Sequence, residues 1–301
     1  MGPTMARMAR RAVEESGKPR RIWGVSRFSD SAVRQRLEDW GIETIACDLM
    51  DEQAVMKLPD AANVISMAGF KFGASRAPAT AWAANCYLPS LVFRRYRGSR
   101  IVVFSTGNIY GMVPRGSGGS VETDPPRPDG EYAMAALGRE RVVQYFSQAW
   151  HTPAVLLRLN YATELRYGVL VDLAQRIFAN EPVDVTMGYV NVIWLADANA
   201  MSLLALGDTA VPTTILNMAG PDILSTRQVA QQLADYMGRS VDIVGQEQPD
   251  ALLSNGTRGY ERWGRPRVSV EQMLRWTADW IANARPTLGK PTHFETRSGK
   301  F

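Results

Sequence analysis

The sequence predicts an α/β protein: a parallel sheet covered by helices on both faces, with a smaller C-terminal lobe. Three observations predict it. Strand-like runs recur at RIWGVS, ETIACDL, NVISMAG, RIVVFST and AVLLRLN, with helical patterns between most of them, and such alternation makes right-handed βαβ units. After Asn160 the pattern loosens into shorter pieces. Finally, 301 residues of 46% apolar composition suffice for a full core, as one large domain or as one domain with a smaller lobe.

The first element is a helix with no strand before it. Pro3 suits a first helical turn, where its missing N–H costs nothing, and Met5, Met8, Ala9 and Ala12 fall at helical spacing. The spacing predicts a helix over 3–16, ended by Gly17. RRIWGVS then reads as a buried strand and DSAVRQRLEDWG as a second helix, so the alternation is entered one strand late. Beyond Asn160 come a helix at GVLVDLAQRIFAN, short strands at VDVTMG and VNVIW, and a helix at LADANAMSLLALG. A strand at TILNMAG and a helix at STRQVAQQLADYMG follow. The expected division is a first domain over 1–160 and a lobe over 161–284 that is interleaved with the last strands of the sheet. The tail, 285–301, is polar and broken by Pro and Gly, so it is expected to be mobile.

Composition excludes several classes of function. A net charge of +4, with arginines scattered along the chain, gives no nucleic-acid surface. Two cysteines, Cys47 and Cys86, and two histidines, His151 and His293, are too few for a structural zinc site or a disulfide framework. No metal is expected, and a reducing cytoplasm fits. No apolar run approaches the roughly 18 residues of a membrane span. The Arg-rich start is no transit peptide on this reading, given Glu14, Glu15 and the strand that follows. Ala6 stands where a myristoylation signal needs Ser or Thr.

Taken together, MGPTMARMA, CDLMD, NVISMAGFKFG, STGNIYG, EYAMAALGRE, LRLN, VNVIWLADANA, LNMAGPDILST and RWGRPRVSVEQ resemble the extended short-chain dehydrogenases, the NAD-dependent epimerase/dehydratase group. The likeness runs from residue 1 to about 284. It implies a Rossmann-like doubly wound sheet over 1–160 that binds a dinucleotide, and a substrate-binding lobe over 161–284. In that family a first strand runs into a G-x-x-G-x-x-G turn at a helix N-terminus. Gly2 sits where the third glycine would be, so the first strand and two glycines, roughly ten residues, do not appear in this chain. Either the start was assigned downstream of the true one or the protein lacks its central strand. The first is favoured, because losing that strand would leave neighbouring backbone groups unpaired.

The resemblance also assigns cofactor contacts. After the second strand, NAD users place an acidic residue and NADP users a basic one. This chain has Ser26 and Arg27, with Asp30 beyond, which favours NADP over the alternative, NAD; the other reading of Arg27 is a solvated loop arginine. Asp48 and Leu49 match the pair that flanks the adenine, although an Asp after a strand is also a common helix cap. Met67, Ala68, Gly69 and Lys71 match the epimerase loop that passes under the cofactor, where a lysine reaches the diphosphate. The other reading of Lys71 is an exposed loop charge. Asn85 matches an asparagine that steadies the neighbouring strand ends.

The family reaction starts when a tyrosine phenolate takes a proton from a substrate hydroxyl while hydride leaves to the nicotinamide. Since tyrosine ionises near pH 10, a nearby cation must stabilise the phenolate. The family supplies it as Y-x-x-x-K, because i and i+4 share a helix face. Here Tyr132 matches the tyrosine and Thr106 the hydroxyl that bonds the reacting oxygen, but position 136 is Ala. Arg139, at i+7, and Lys71, from its loop, are the two candidate replacements; without a cation, Tyr132 reads as a buried aromatic. Asn160 and Tyr110 are candidate substrate contacts, Arg158 reads as structural, and Trp194 replaces a family histidine. Asp197 is expected to cap a helix, and Tyr189, Asn191 and Arg262 to border the pocket.

The resulting expectation is an NAD(P)-dependent oxidoreductase or epimerase acting on a sugar, nucleotide sugar or other hydroxylated small molecule. The alternative is a non-catalytic dinucleotide-binding or regulatory protein, favoured by Ala136; a third reading is a fragment that does not fold stably. A homodimer through PATAWAANCYLPSLVFRRYRG and YAMAALGRERVVQYFSQAW is implied by the family's habit, while the same apolar faces could pack only on the sheet.

Overall fold

The computed structural model describes residues 1–299. At its centre lie four parallel strands: β3 (Asn63–Ser66), β4 (Arg100–Thr106), β6 (Ala154–Leu159) and β11 (Thr214–Met218), in the order β11-β6-β4-β3. β1 (Trp23–Ser26) and β2 (Glu43–Ala46) form a second parallel pair. The intervening helices are α1 (Gly2–Ser16), α2 (Ser31–Asp39), α3 (Glu52–Met56) and α4 (Pro78–Trp82). A π-helical turn, Ala83–Tyr87, joins α4 to α5 (Leu88–Arg95), and the long α6 (Gly130–Trp150) follows β4. This is the Rossmann-like α/β arrangement that the alternation predicted.

Burial along the strands reports their place in the sheet. Ile101 to Thr106 of β4 are all buried, as a strand paired on both edges and covered on both faces requires. By contrast, Trp23–Val25 and all of β3 are only half-buried. Among the described residues β1 pairs with β2 alone and β3 with β4 alone, so the sheet is in two parts where a Rossmann order sets its first strand.

Local chemistry explains the helix ends. α1 stops at Gly17, which takes the left-handed conformation (φ 63°) and returns its N–H to Glu14. Met5 is buried with Val102, Val155 and Leu157. Asp30 caps α2 by accepting from the Ala32 N–H at 2.9 Å, and Asp51 caps α3.

The C-terminal lobe is built from α7 (Val169–Phe178), α9 (Thr226–Met237) and α11 (Val270–Ala282), which pack together around Leu170, Leu173, Ile177, Leu233 and Leu274. α8 (Leu195–Leu204) lies on α1, where Asn199 donates to Thr4 Oγ1 at 3.0 Å, and α10 (Thr257–Trp263) packs by β11. Two-residue pairs brace the lobe: β5 (Val113–Pro114) with β14 (Asp250–Ala251), β7 (Ala162–Thr163) with β10 (Ile193–Trp194), β8 (Val183–Asp184) with β13 (Ile243–Val244), and β9 (Tyr189–Val190) with β12 (Leu224–Ser225). Because β11 belongs to the central sheet, chain beyond residue 161 completes the first domain.

The tail differs from the mobile segment expected over 285–301. Phe294 is only 4% exposed and packs in the lobe's core. Thr292 gives Asp172 two hydrogen bonds, from its N–H at 2.8 Å and its hydroxyl at 2.5 Å, and Arg297 clasps Asp250. Polar composition hid these contacts, since each partner lies more than 40 residues away in sequence. Residues 300 and 301 of that expectation lie outside the described residues. Among the described residues, no helix is long and apolar enough to cross a membrane, and no group of three His, Cys, Asp or Glu could hold a metal ion.

Candidate active site

The carboxyl ends of parallel strands are where a doubly wound sheet places its ligands. Ser26 and Arg27 lie exposed at the end of β1, Asp48 and Leu49 after β2, Met67–Gly69 after β3, and Thr106 at the end of β4. Asp48 caps no helix: its carboxylate accepts from the Met50 N–H at 3.0 Å, in a turn, while Leu49 packs on the neighbouring core. Met67 and Ala68 are half-buried against two different core clusters. Gly2 opens α1 with no side-chain cap on that helix, and a Cβ there would meet nothing within 4 Å. An uncapped helix start with open space, and exposed polar residues at the carboxyl ends of β1 and β2, fit a dinucleotide.

The loop after β3 is fixed from below. Asn85, in the π-helical turn, donates to the Phe70 carbonyl at 3.0 Å and accepts from the Phe70 N–H at 3.4 Å. Arg139 reaches the same place from α6: one guanidinium nitrogen donates to the Phe104 carbonyl at 2.6 Å and another to Asn85 Oδ1. A Cβ on Gly69 would run into that guanidinium, so glycine is what lets the loop lie against it. Burial lowers the Arg139 pKa.

Tyr132 and Thr106 arrive on adjacent elements. Thr106 starts the turn that follows β4; its hydroxyl accepts from the Asn108 N–H at 3.2 Å and donates to Asn108 Oδ1 at 2.8 Å. Tyr132 stands in the first turn of α6, half-buried. One turn on, Ala136 is fully buried against Ile109 and Tyr110, so this face of α6 is closed by packing where the family places its lysine. The Lys71 Nζ lies 5.6 Å from the centroid of the Tyr132 ring and 5.5 Å from that of Phe72. Burial pushes the Lys71 pKa down to about 8.

Two expected substrate contacts are corrected. Tyr110 is 3% exposed; its hydroxyl donates to Asn217 Oδ1 at 2.8 Å and accepts from Arg158 at 2.6 Å. It is a buried brace, and burial pushes its pKa up to about 12. Asn160, 2% exposed, gives its amide to Asn191 Oδ1 at 2.8 Å, and Asn191 in turn donates to Gly220 and Ser254 carbonyls. It therefore ties the end of β6 to the lobe. Arg158 is structural as expected, paired with the wholly buried Glu140 through two hydrogen bonds, at 3.0 and 2.8 Å. Asp197 caps no helix; it accepts from the Val268 N–H at 3.1 Å. Arg262 is paired with Asp208, Tyr189 bonds Arg115, and Trp194 packs on Trp276. Sequence reasoning missed Asn108, Glu140 and Asn217. Only Glu140 carried a signal, at i+8 from Tyr132 on the same helix face.

The strand order defines a protein of the Rossmann-like α/β class. The chain belongs to the NAD dependent epimerase/dehydratase family, whose model matches residues 6–163. Among solved structures, it is similar to the UDP-glucose 4-epimerase of Thermotoga maritima with UDP-glucose, at 18% identity and a TM-score of 0.78, covering 93% of this chain and 96% of that one. The Thermus thermophilus UDP-glucose 4-epimerase complex with NAD matches at 20% identity and 0.75, with the same coverage. RMD from Pseudomonas aeruginosa, complexed with NADPH, matches at 17% identity and 0.71, covering 88% of this chain and 100% of that one. No curated protein matches the chain.

Proposed function

We propose that the chain is an NAD(P)-dependent oxidoreductase or epimerase acting on a nucleotide sugar or another hydroxylated small molecule. What supports this reading is membership of the family over residues 6–163, together with Thr106 at the end of β4 and Tyr132 in the first turn of α6. The bound nicotinamide would accept and return hydride. Tyr132 Oη would take the proton of the substrate hydroxyl and later give it back, while the Thr106 hydroxyl orients the same oxygen. Gly2, Ser26, Arg27, Asp48, Leu49 and Met67–Gly69 would hold the dinucleotide, with Asn85 and Arg139 fixing the loop beneath it. The exposed Arg27 favours NADP, since a guanidinium suits a phosphate geometrically; NAD is the alternative.

The test uses UDP-glucose as probe, followed by reduced-nicotinamide absorbance and product sugar. Turnover should fall by about a hundredfold or more in Tyr132→Phe, the usual size of a general acid–base contribution. Equal turnover in parent and variant would remove Tyr132 from the chemistry. Ala136 favours a second reading, a dinucleotide-binding protein without turnover, which binding without hydride transfer on any nucleotide sugar would support.

Two further assignments rest on smaller observations. Trp82, Tyr87, Met134 and Tyr145, on the packed helices α4 to α6, leave apolar surface exposed, 65% in the case of Tyr145, and a homodimer would cover it. The free thiols Cys47 and Cys86 support a reducing cytoplasm.

A further inference from the structure

We infer that the C-terminal segment 292–299 is a strap across the Tyr132 side of the candidate site, anchored on the lobe and lightly held at its far end, and that Tyr132 becomes accessible when 295–299 lift. This rests on the reading of Tyr132 as the acid–base group and adds the element that controls access to it. Two contacts carry the segment from the lobe onto the first domain, and they fall on either side of Tyr132. At the first, the His293 ring packs edge-on to Phe72 with centroids 6.3 Å apart. Phe72 adjoins Lys71, whose Nζ is 5.6 Å from the centroid of the Tyr132 ring. At the second, the strap's backbone lies against the start of α6: a Cβ on Gly130 would fall 2.1 Å from the Gly299 carbonyl oxygen, and one on Gly299 2.3 Å from that of Asp129. Tyr132 stands two residues beyond Gly130, in the same helical turn. Between these contacts Glu295 is 3.6 Å from Arg176 of α7 and within electrostatic reach of Tyr161, just after β6. Tyr167 lies within the same reach of both Tyr132 and Asp172, the acceptor for Thr292. The segment thus runs from α7, past the loop after β3 and the end of β6, to the first turn of α6.

The two ends of the strap are held unequally. At its base, Thr292 is buried and gives Asp172 two hydrogen bonds, and Phe294 sits in the lobe's core. His293, between them, takes a left-handed conformation (φ 55°) that turns the chain, and the Thr296 N–H returns to the His293 carbonyl at 3.0 Å. At the far end Arg297 pairs with Asp250, and both side chains are partly exposed, 24% and 38%. Such an ion pair is weak beside a buried aromatic side chain. Ser298 is exposed, and Gly299 packs by close backbone approach to Asp129 and Gly130. An element with a firm base and a lightly held tip opens locally at low cost. Its closure shuts water out from the groups beneath it, which is what a lid contributes to a reacting site.

The test reads access to Tyr132 and needs neither cofactor nor substrate. N-acetylimidazole transfers its acetyl group to a tyrosine oxygen and leaves as imidazole; mass spectrometry of the peptides then gives the rate at each tyrosine, with Tyr145, 65% exposed, as the internal standard. The strap is tied down in a Cys86→Ser background that carries Asp129→Cys and Ser298→Cys, two exposed positions, joined by a short bis-methanethiosulfonate reagent that dithiothreitol cleaves. Asp129 makes no side-chain cap on α6, so its replacement spares the helix. The expected result is a Tyr132 rate about tenfold or more lower in the tied form, since opening passes through a minor state, with the rate restored on cleavage and Tyr145 unchanged throughout. Equal Tyr132 rates in the tied and cleaved forms would overturn the inference. If the double-cysteine chain fails to fold, Arg297→Ala decides: it frees the same end, and the Tyr132 rate should rise about two- to fivefold, the size of a partly exposed ion pair, while an unchanged rate would overturn the inference equally. Unaltered turnover in Tyr132→Phe would strike the functional reading and leave these rates as they are.

Discussion

Tyr110 shows what a single residue can and cannot reveal before folding. The resemblance made it a candidate substrate contact, yet its partners are Arg158 and Asn217, the latter 107 residues away. Thr106 and Tyr132 were singled out by the resemblance of the local stretches STGNIYG and EYAMAALGRE, whereas the Ser105–Glu140–Arg158–Tyr110–Asn217 network is assembled by strand order. Arg158→Met would leave the Glu140 carboxylate uncompensated in the core, and urea denaturation should show a loss of about 3–5 kcal/mol. Alkali should act through Tyr110. Its folded pKa of about 12 lies above the unfolded value near 10, so the folded state binds the proton more tightly. Stability is thus full below pH 10 and falls as pH rises toward 12, by about 2–3 kcal/mol for this group. Thermal melts across that range should show the decline, and Tyr110→Phe should make it shallower by this group's share, since burial also raises Tyr161, Tyr167 and Tyr260.

At the scale of elements, the helices that position the site follow from local chemistry. α1 ends on Gly17, α2 starts on Asp30, and α6 carries Tyr132, Ala136 and Arg139 on one face. The tail shows the limit of that logic, because PTHFETRSG has neither helical nor strand periodicity and still docks through Thr292, Phe294 and Arg297. Its contacts are tertiary throughout. It also reaches the start of α6, where Gly130, at φ 79°, leaves room for the backbone of Gly299 that a Cβ would fill. Phe294→Ala should lower stability by about 3–5 kcal/mol, the range for emptying a buried aromatic site, as read by chemical denaturation. Hydrogen exchange in the same variant should rise along 286–299 and in the first turn of α6.

For the whole molecule, the alternation of strands and helices foretold the parallel sheet, and the loosening after Asn160 foretold the lobe. What composition could not tell is that Thr214–Met218 returns to the central sheet beside β6, because a buried parallel strand looks alike wherever it pairs. Ser26, Asp48 and Gly69 stand at or just after the carboxyl ends of β1, β2 and β3, which is where the account puts the dinucleotide. The most direct test is a fluorescence titration of NADPH and NADH into the chain, repeated with Arg27→Ala. The account predicts saturable binding, NADPH tighter than NADH, and a preference reduced about tenfold by Arg27→Ala, the equivalent of ~1.4 kcal/mol. No saturable binding of either nucleotide would contradict it.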